Sequence, residues 1–169
     1  LQIDAPYAET WKELVSQNIT PAKNQILARR NYSLASNPDK DKQLTFNIRI
    51  ALPPQGSEHP TGSGSSYMHR LHPGDKISAY GPFGDFHIKE TENEMVYLGG
   101  GAGMAPLRSH ISSLLETKKS TRKISLWYGA RSIHELFYDD YFEALAKKHP
   151  NFSFHVALSD EEGNSDFPS

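Results

Sequence analysis

The sequence predicts two domains in tandem: an antiparallel β-barrel over residues 1–92 and an α/β domain built on a parallel sheet over residues 93–169. Three observations carry this. Thr45, Asn47 and Arg49 alternate with Leu44, Phe46, Ile48 and Ile50, the period that gives an antiparallel strand one wet face. The first half is cut up by turn-rich stretches, NPDKD, LPPQGSEHPTGSG and HPGD, which suits short barrel strands. After GPFGDF, Gly81 to Phe86, short apolar runs alternate with helix-period stretches in the order βαβαβ, the signature of a parallel sheet.

The barrel strands are expected at Asn31 to Ser36, Leu44 to Ala51 and Lys76 to Tyr80. Between them, Gly62 to Ser66 lead into the apolar-spaced run Tyr67, Met68, Leu71, where Ser65 or Ser66 could cap a short helix. The boundary falls at Glu90 to Asn93. Beyond it the sequence predicts a strand at Met95 to Leu98, a helix at Pro106 to Leu115, a strand at Lys123 to Tyr128, a helix at Leu136 to Lys148 and a strand at Phe152 to Leu158. The barrel is read as incomplete at its start and the α/β domain as cut at its C-terminal end.

Composition narrows the chemistry. With 169 residues and 37% apolar content the chain can bury a sizeable core. A net charge of −2 with scattered basic residues draws no nucleic-acid footprint. The absence of Cys excludes a disulfide, a thiolate zinc site or an iron–sulfur cluster within these residues. No apolar run approaches the roughly 20 residues that span a bilayer. Neither a GxSxG turn, a GxxxxGK[ST] loop nor an HExxH helix occurs. His69 and His72 have HxxH spacing but fall in a surface turn, so no metal site is expected. The charge groups KETENE and SDEEGNSD read as solvated loops, and Tyr138, Tyr141 and Phe142 as core and subunit contact at helical spacing.

Three stretches remain that can carry chemistry. In MVYLGGGAGMAPLRSHI, Met95 to Ile111, a strand runs through a glycine cluster into a helix. Gly101 and Gly103 sit where backbone must turn tightly and approach a ligand, and the free amides at the helix start suit a pyrophosphate. Pro106 is at home in a first helical turn, because it lacks an N–H that would be orphaned there anyway. The next strand, ISLWY, ends in Gly129, Ala130 and Arg131, without the carboxylate that usually follows it in a dinucleotide fold. In ARRNYSLASNP, Arg30 and Tyr32 share one face of an extended chain and Ser33 the other: a cation for phosphate, a flat ring for stacking and a small donor. In TGSGSSY, the first amides of a capped helix could face an anion.

The order RxYS, GSGSSY, GPFG, GGGAGMAP, YGAR resembles the ferredoxin-NADP reductase superfamily, in which a flavin-binding β-barrel precedes a pyridine-nucleotide domain. Within it, RNYSLASNP, NIRIALPP, YGPFGDF, MVYLGGGAGMAPLRSHI and LWYGARSIHELFY are most similar to the flavin-carrying F subunit of bacterial Na+-translocating NADH:quinone reductase. The resemblance implies that Arg30 meets the pyrophosphate of FAD, Tyr32 lies against the isoalloxazine and Ser33 contacts its N5 edge. It places Arg49, Ile50 and Ala51 along the pyrimidine and ribityl side, and Gly64, Ser65 and Ser66 at the phosphates. Gly99, Gly100, Gly101, Gly103, Met104 and Pro106 would form the floor under the nicotinamide half of NADH. Tyr128, Gly129, Ala130, Arg131 and Glu135 would approach the adenosine half, with Glu135 supplying the missing ribose carboxylate. A carboxylate there favours NADH over NADPH, and Arg131 argues the other way.

What the resemblance implies of function is hydride transfer from NADH to FAD, with Tyr32 and Ser33 nearest the reacting atoms, then single-electron transfer to a [2Fe-2S] centre outside this segment. Positioning and electrostatics suffice for that step, so no acid or base is required. The expected partners are the other subunits of a membrane-bound Na+-pumping complex at the cytoplasmic face of a bacterial inner membrane. This segment itself is not expected to span the bilayer. The family's membrane helix, cysteine-ligated domain and C-terminal CGPP segment lie outside residues 1–169. Two other readings stand beside it: the reductase component of a multicomponent mono-oxygenase, and a nucleotide-binding module without turnover.

Overall fold

A computed structural model describes residues 29–52 and 62–160. By its contacts the chain divides into two compact units, Leu1–Tyr32 with Ile48–Phe83, and Ser33–Asn47 with Gly84–Ser169.

The second unit is built on three parallel strands, β1 (Met95–Gly99), β2 (Ile124–Ala130) and β3 (Phe152–Leu158), in the order β1-β2-β3. The βαβαβ expectation holds, and β3 coincides with its predicted span. Register sets Tyr97 opposite Leu126 and Leu126 opposite Phe154, so inward side chains form rows across the sheet. Against one face pack α2 (Met104–Ser112) and α3 (Asp139–Lys148). Leu107 and Ile111 from α2, and Phe142 and Leu145 from α3, join Tyr97, Ile124, Leu126, Tyr128 and Phe152 in one core. Val96, Leu98 and Trp127 point the other way and are exposed, with Trp127 stacked on His155 at 4.2 Å between ring centroids.

The helix ends differ from the sequence expectation for local reasons. α2 opens at Met104, ahead of Pro106, because a 3-10 turn at Gly101–Gly103 leads directly into it. Its last turn widens over Ser113–Thr117, where Lys118 N–H reaches the Ser113 carbonyl at 2.8 Å, and Lys119 then ends it with a left-handed φ of 52°. The expected helix over Leu136 to Lys148 begins at Asp139 instead. Tyr138 takes a left-handed φ of 65°, and Leu136 is extended, so helical hydrogen bonding cannot run through them. Asp139 and Asp140 in the first turn of α3 and Lys147 and Lys148 in the last complement its dipole.

Residues 33–47 are fastened to α2. Buried Asn37 donates through Nδ2 to Ser112 Oγ (3.1 Å) and Thr117 Oγ1 (2.9 Å). Arg108 Nη1 donates to the Ala35 carbonyl at 2.6 Å, and Ser109 Oγ to the Ser36 carbonyl at 2.8 Å. Glu116 accepts from Lys40 (2.6 Å), Tyr141 (2.7 Å) and Ser112 (2.8 Å). Burial pushes the Glu116 carboxyl up, but these donors outweigh it and hold the carboxyl at about 2.

The barrel strands are corrected. Among the described residues no strand forms over 31–36, 44–51 or 76–80; a single antiparallel bridge joins Leu34 to Phe46, with Ala35 N–H to the Thr45 carbonyl at 2.8 Å. Alternation marks a face but a ladder needs a partner. The run 44–51 divides at Asn47, its first part grouping with one unit and its second with the other. Ile77 and Tyr80 are exposed. Among the described residues of the first unit the regular element is α1 (Ser63–His69).

Candidate functional site

At the end of β1 the chain makes a tight turn in which Gly99, Gly100 and Gly101 each stand where a side chain would clash or strain the backbone. Gly99 has no room for a side chain, since a Cβ would strike Leu107 and Met104 of α2. Gly100 is extended, and a Cβ there would stand 2.5 Å from the Gly129 carbonyl oxygen at the end of β2. Gly101 turns with φ 51°, and Gly103 N–H closes the turn on the Gly100 carbonyl at 3.1 Å. Gly103 faces open space, with nothing within 4 Å of where a Cβ would lie. The chain then enters α2 directly from the 3-10 turn, with the Met104 N–H bonded back to the Gly101 and Ala102 carbonyls, so what faces the turn is the positive end of the helix dipole. Pro106 stands in that first turn, as the sequence predicts. Met104 does not line the turn with its side chain: it is fully buried in the core.

Gly99 pairs in register with Tyr128, which brings the glycine turn and the residues after ISLWY to the carboxyl ends of adjacent parallel strands. That is where open α/β sheets receive ligands. Tyr128 is wholly buried, and its Oη accepts the Phe137 N–H at 3.3 Å, so it supports the strand end from below. Arg131 and Glu135 are joined. Arg131 Nε donates to Glu135 Oε1 at 2.9 Å, Nη2 reaches the same oxygen, and the Arg131 backbone N–H donates to Oε2 at 3.3 Å. Those hydrogen bonds and the charge of Glu135 raise the arginine's pKa further.

The first unit assembles part of the other predicted set. A Cβ on Gly64 would lie 2.7 Å from Arg30 Cγ and 3.3 Å from Tyr32 Oη, so the absence of a side chain lets α1 approach both residues. Arg30 Nη2 donates weakly to Ser63 Oγ at 3.4 Å. The expectation that Ser65 or Ser66 caps this helix is corrected: Gly62 is the cap residue, and Ser65 lies within the first turn. Ser65 Oγ instead accepts the Ala51 N–H at 3.0 Å and donates to the Gly62 carbonyl at 3.1 Å, because Gly62 N–H is already bound to the Ala51 carbonyl at 2.8 Å. Sequence reasoning passed over Gly62, although its Cβ would meet that of Ala51 at 2.7 Å; the signal was its place at the start of GSGSS. Arg49 is exposed, Ile50 is buried, and Ser66 is half-buried. Ser33 is exposed and groups with the second unit.

His69 and His72 do not form a pair: His69 Nδ1 lies 2.9 Å from the Ser65 carbonyl and His72 sits by Asp75. Among the described residues no cluster of side chains could hold a metal ion, and no helix is long and apolar enough to cross a membrane.

Residues 14–88 match the oxidoreductase FAD-binding domain family, and residues 97–167 the oxidoreductase NAD-binding domain family. The F subunit of the Na(+)-translocating NADH-quinone reductase of Klebsiella pneumoniae is 57% identical over 156 residues, covering 91% of this chain and 38% of the relative. The proteins of the same name from Pseudomonas paraeruginosa and Colwellia maris are 55% and 48% identical, over 79% and 95% of this chain and 33% and 53% of their own length. The chain thus spans from a third to about half of these relatives. Among solved structures, the Amycolatopsis cytochrome P450 reductase GcoB superposes with a TM-score of 0.65 at 34% identity, over 83% of this chain and 42% of that one. A ferredoxin-NADP+ reductase from Plasmodium falciparum, with 2'P-AMP, does so at 0.66 and 23% identity, over 86% and 58%, which speaks for the fold alone. The glycine turn, the two domain matches in this order and the identities to relatives of one name converge: the chain belongs to the family of Na(+)-translocating NADH-quinone reductase F subunits.

Proposed function

We propose that this chain is the NADH-oxidising flavoprotein segment of a Na+-translocating NADH:quinone reductase, residues 1–92 forming the FAD-binding domain and 93–169 the NADH-binding domain. The observation that carries it is the glycine turn Gly99 to Gly103 running into the positive, N-terminal end of α2 at the carboxyl ends of β1 and β2, where bare backbone and the helix dipole suit a pyrophosphate. Bound FAD supplies the acceptor for the hydride of NADH and the one-electron exit to a [2Fe-2S] centre outside this segment, which feeds quinone reduction and Na+ export.

The chain's own residues bind and position. Arg30, with Gly64, Ser65 and Ser66, holds the flavin phosphates; Tyr32 stacks on the ring; Ser33 donates to its N5 edge. Arg49, Ile50 and Ala51 line the pyrimidine and ribityl side. The convergence of Arg30 and Tyr32 on Gly64 supports this set, because the missing side chain lets the start of α1 come against the arginine stem and the tyrosine hydroxyl. Gly100, Gly101, Gly103, Met104 and Pro106 carry the nicotinamide half of NADH, the first through bare backbone and Met104 by its main chain. Tyr128, Gly129, Ala130, Arg131 and Glu135 carry the adenosine half. Partners are the other subunits of the membrane complex, with this segment on the cytoplasmic face of a bacterial inner membrane. The test is the flavin content of the purified intact protein: an FAD spectrum near one equivalent is expected, and a protein that stays colourless after incubation with FAD overturns the reading.

A second reading has its own support. The 34% identity to a cytochrome P450 reductase favours the same hydride chemistry with a mono-oxygenase as electron acceptor. Reduction of quinone against reduction of a cytochrome P450 by the NADH-reduced protein separates the two.

A further inference from the structure

The pair that closes β2 has more chemistry than either residue alone. β2 ends at Ala130, and the next residue, Arg131, is held by Glu135 through both carboxylate oxygens: one takes the guanidinium, the other the Arg131 backbone N–H. The ring is built locally, by the extended backbone of Ser132 and the 3-10 turn Ile133–Glu135 that brings the carboxylate back. Its members differ in exposure, the Arg131 side chain at 72% and that of Glu135 at 33%, so the guanidinium is largely in solvent while its Nε and Nη2 side is engaged by one carboxylate oxygen. Asp160, whose backbone N–H donates to the Arg131 carbonyl at 2.8 Å, adds a second negative charge nearby.

An adenosine ribose extending from the glycine turn over the end of β2 would meet this pair. A carboxylate accepts hydrogen bonds from ribose hydroxyls and repels a 2′-phosphate; a guanidinium fork binds such a phosphate in bidentate fashion. Here both groups are present, and the carboxylate takes the Nε and Nη2 side of the guanidinium and balances its charge. We propose that Glu135 withholds the Arg131 fork from a 2′-phosphate, so that the two residues act as one specificity device admitting an unphosphorylated adenosine ribose and rejecting a 2′-phosphorylated one. The inference rests on the reading that the nucleotide's adenosine half lies at the end of β2. Removing the carboxylate frees a cation with an unoccupied fork, and removing the arginine leaves a bare carboxylate. The two substitutions therefore move 2′-phosphate affinity in opposite directions. A carboxylate that merely contacted ribose would leave Arg131→Ala without effect.

The test is equilibrium binding, without turnover, of adenosine 5′-monophosphate and adenosine 2′,5′-bisphosphate to the intact protein by titration calorimetry. Wild type should favour the monophosphate. Glu135→Ala should tighten the bisphosphate by about tenfold, the worth of hydrogen bonds to a charged group. Arg131→Ala should weaken it, and the double variant should lose the gain. Monophosphate binding with no tightening of the bisphosphate in Glu135→Ala, or tightening that survives in the double variant, overturns the device. Failure of both nucleotides to bind wild type and every variant overturns the site reading and the device with it.

Discussion

The α-carbon of Gly100 faces the carbonyl oxygen of Gly129 so closely that a Cβ would stand 2.5 Å from it. The ends of β1 and β2 are thus locked by backbone contact, and the glycine turn cannot shift without moving β2. Gly100→Ala should cost about 1–3 kcal/mol through forced separation of the strand ends, read as a lowered urea midpoint.

Gly103 gives the contrast. It is helical in conformation, φ −63°, and has nothing within 4 Å of a Cβ position. Gly103→Ala should leave the urea midpoint within about 0.5 kcal/mol of wild type, as for other surface changes, while weakening NADH binding, because the new methyl occupies the ligand's side of the turn. Equal effects on stability and binding would remove the turn from the site.

Glu116 should shape acid stability. Its native carboxyl titrates at about 2, below the ordinary 4.5, so it contributes stability that is complete above pH 4.5 and is lost as pH falls through 2. The side chain is 14% exposed, so the contribution is about 2–3 kcal/mol. Glu116→Gln should flatten the stability profile across that window in urea titrations. A profile unchanged by the substitution would show that the Lys40, Tyr141 and Ser112 contacts do not favour the ionised form.

Tyr32→Ala and Ser33→Ala should reduce flavin content or slow flavin reduction, with the circular-dichroism melt close to wild type. Wild-type flavin content and reduction rate in both would refute their placement at the isoalloxazine.

The α/β half was legible because its signals are local: β3 is a bounded apolar run, and the strand–glycine–helix junction at Met95 to Ile111 announces itself. Where the sequence misled, the deciding contact was distant or conformational. Tyr138 in the left-handed region moved the start of α3, although nothing in ELFYDD marks that φ. The alternation at Leu44 to Ala51 is real, but its two ends group with different compact units, which no periodicity reveals. Met104 and Tyr128 lie in site motifs yet point their side chains into the core. The Arg131 and Glu135 spacing was visible; that the two residues satisfy one another required the turn between them.

The most direct measurement is the visible spectrum of the intact protein after anaerobic mixing with NADH. An FAD band that is present at the start and bleaches on mixing is the expected result. A bound flavin whose band persists in excess NADH would contradict hydride transfer at this site.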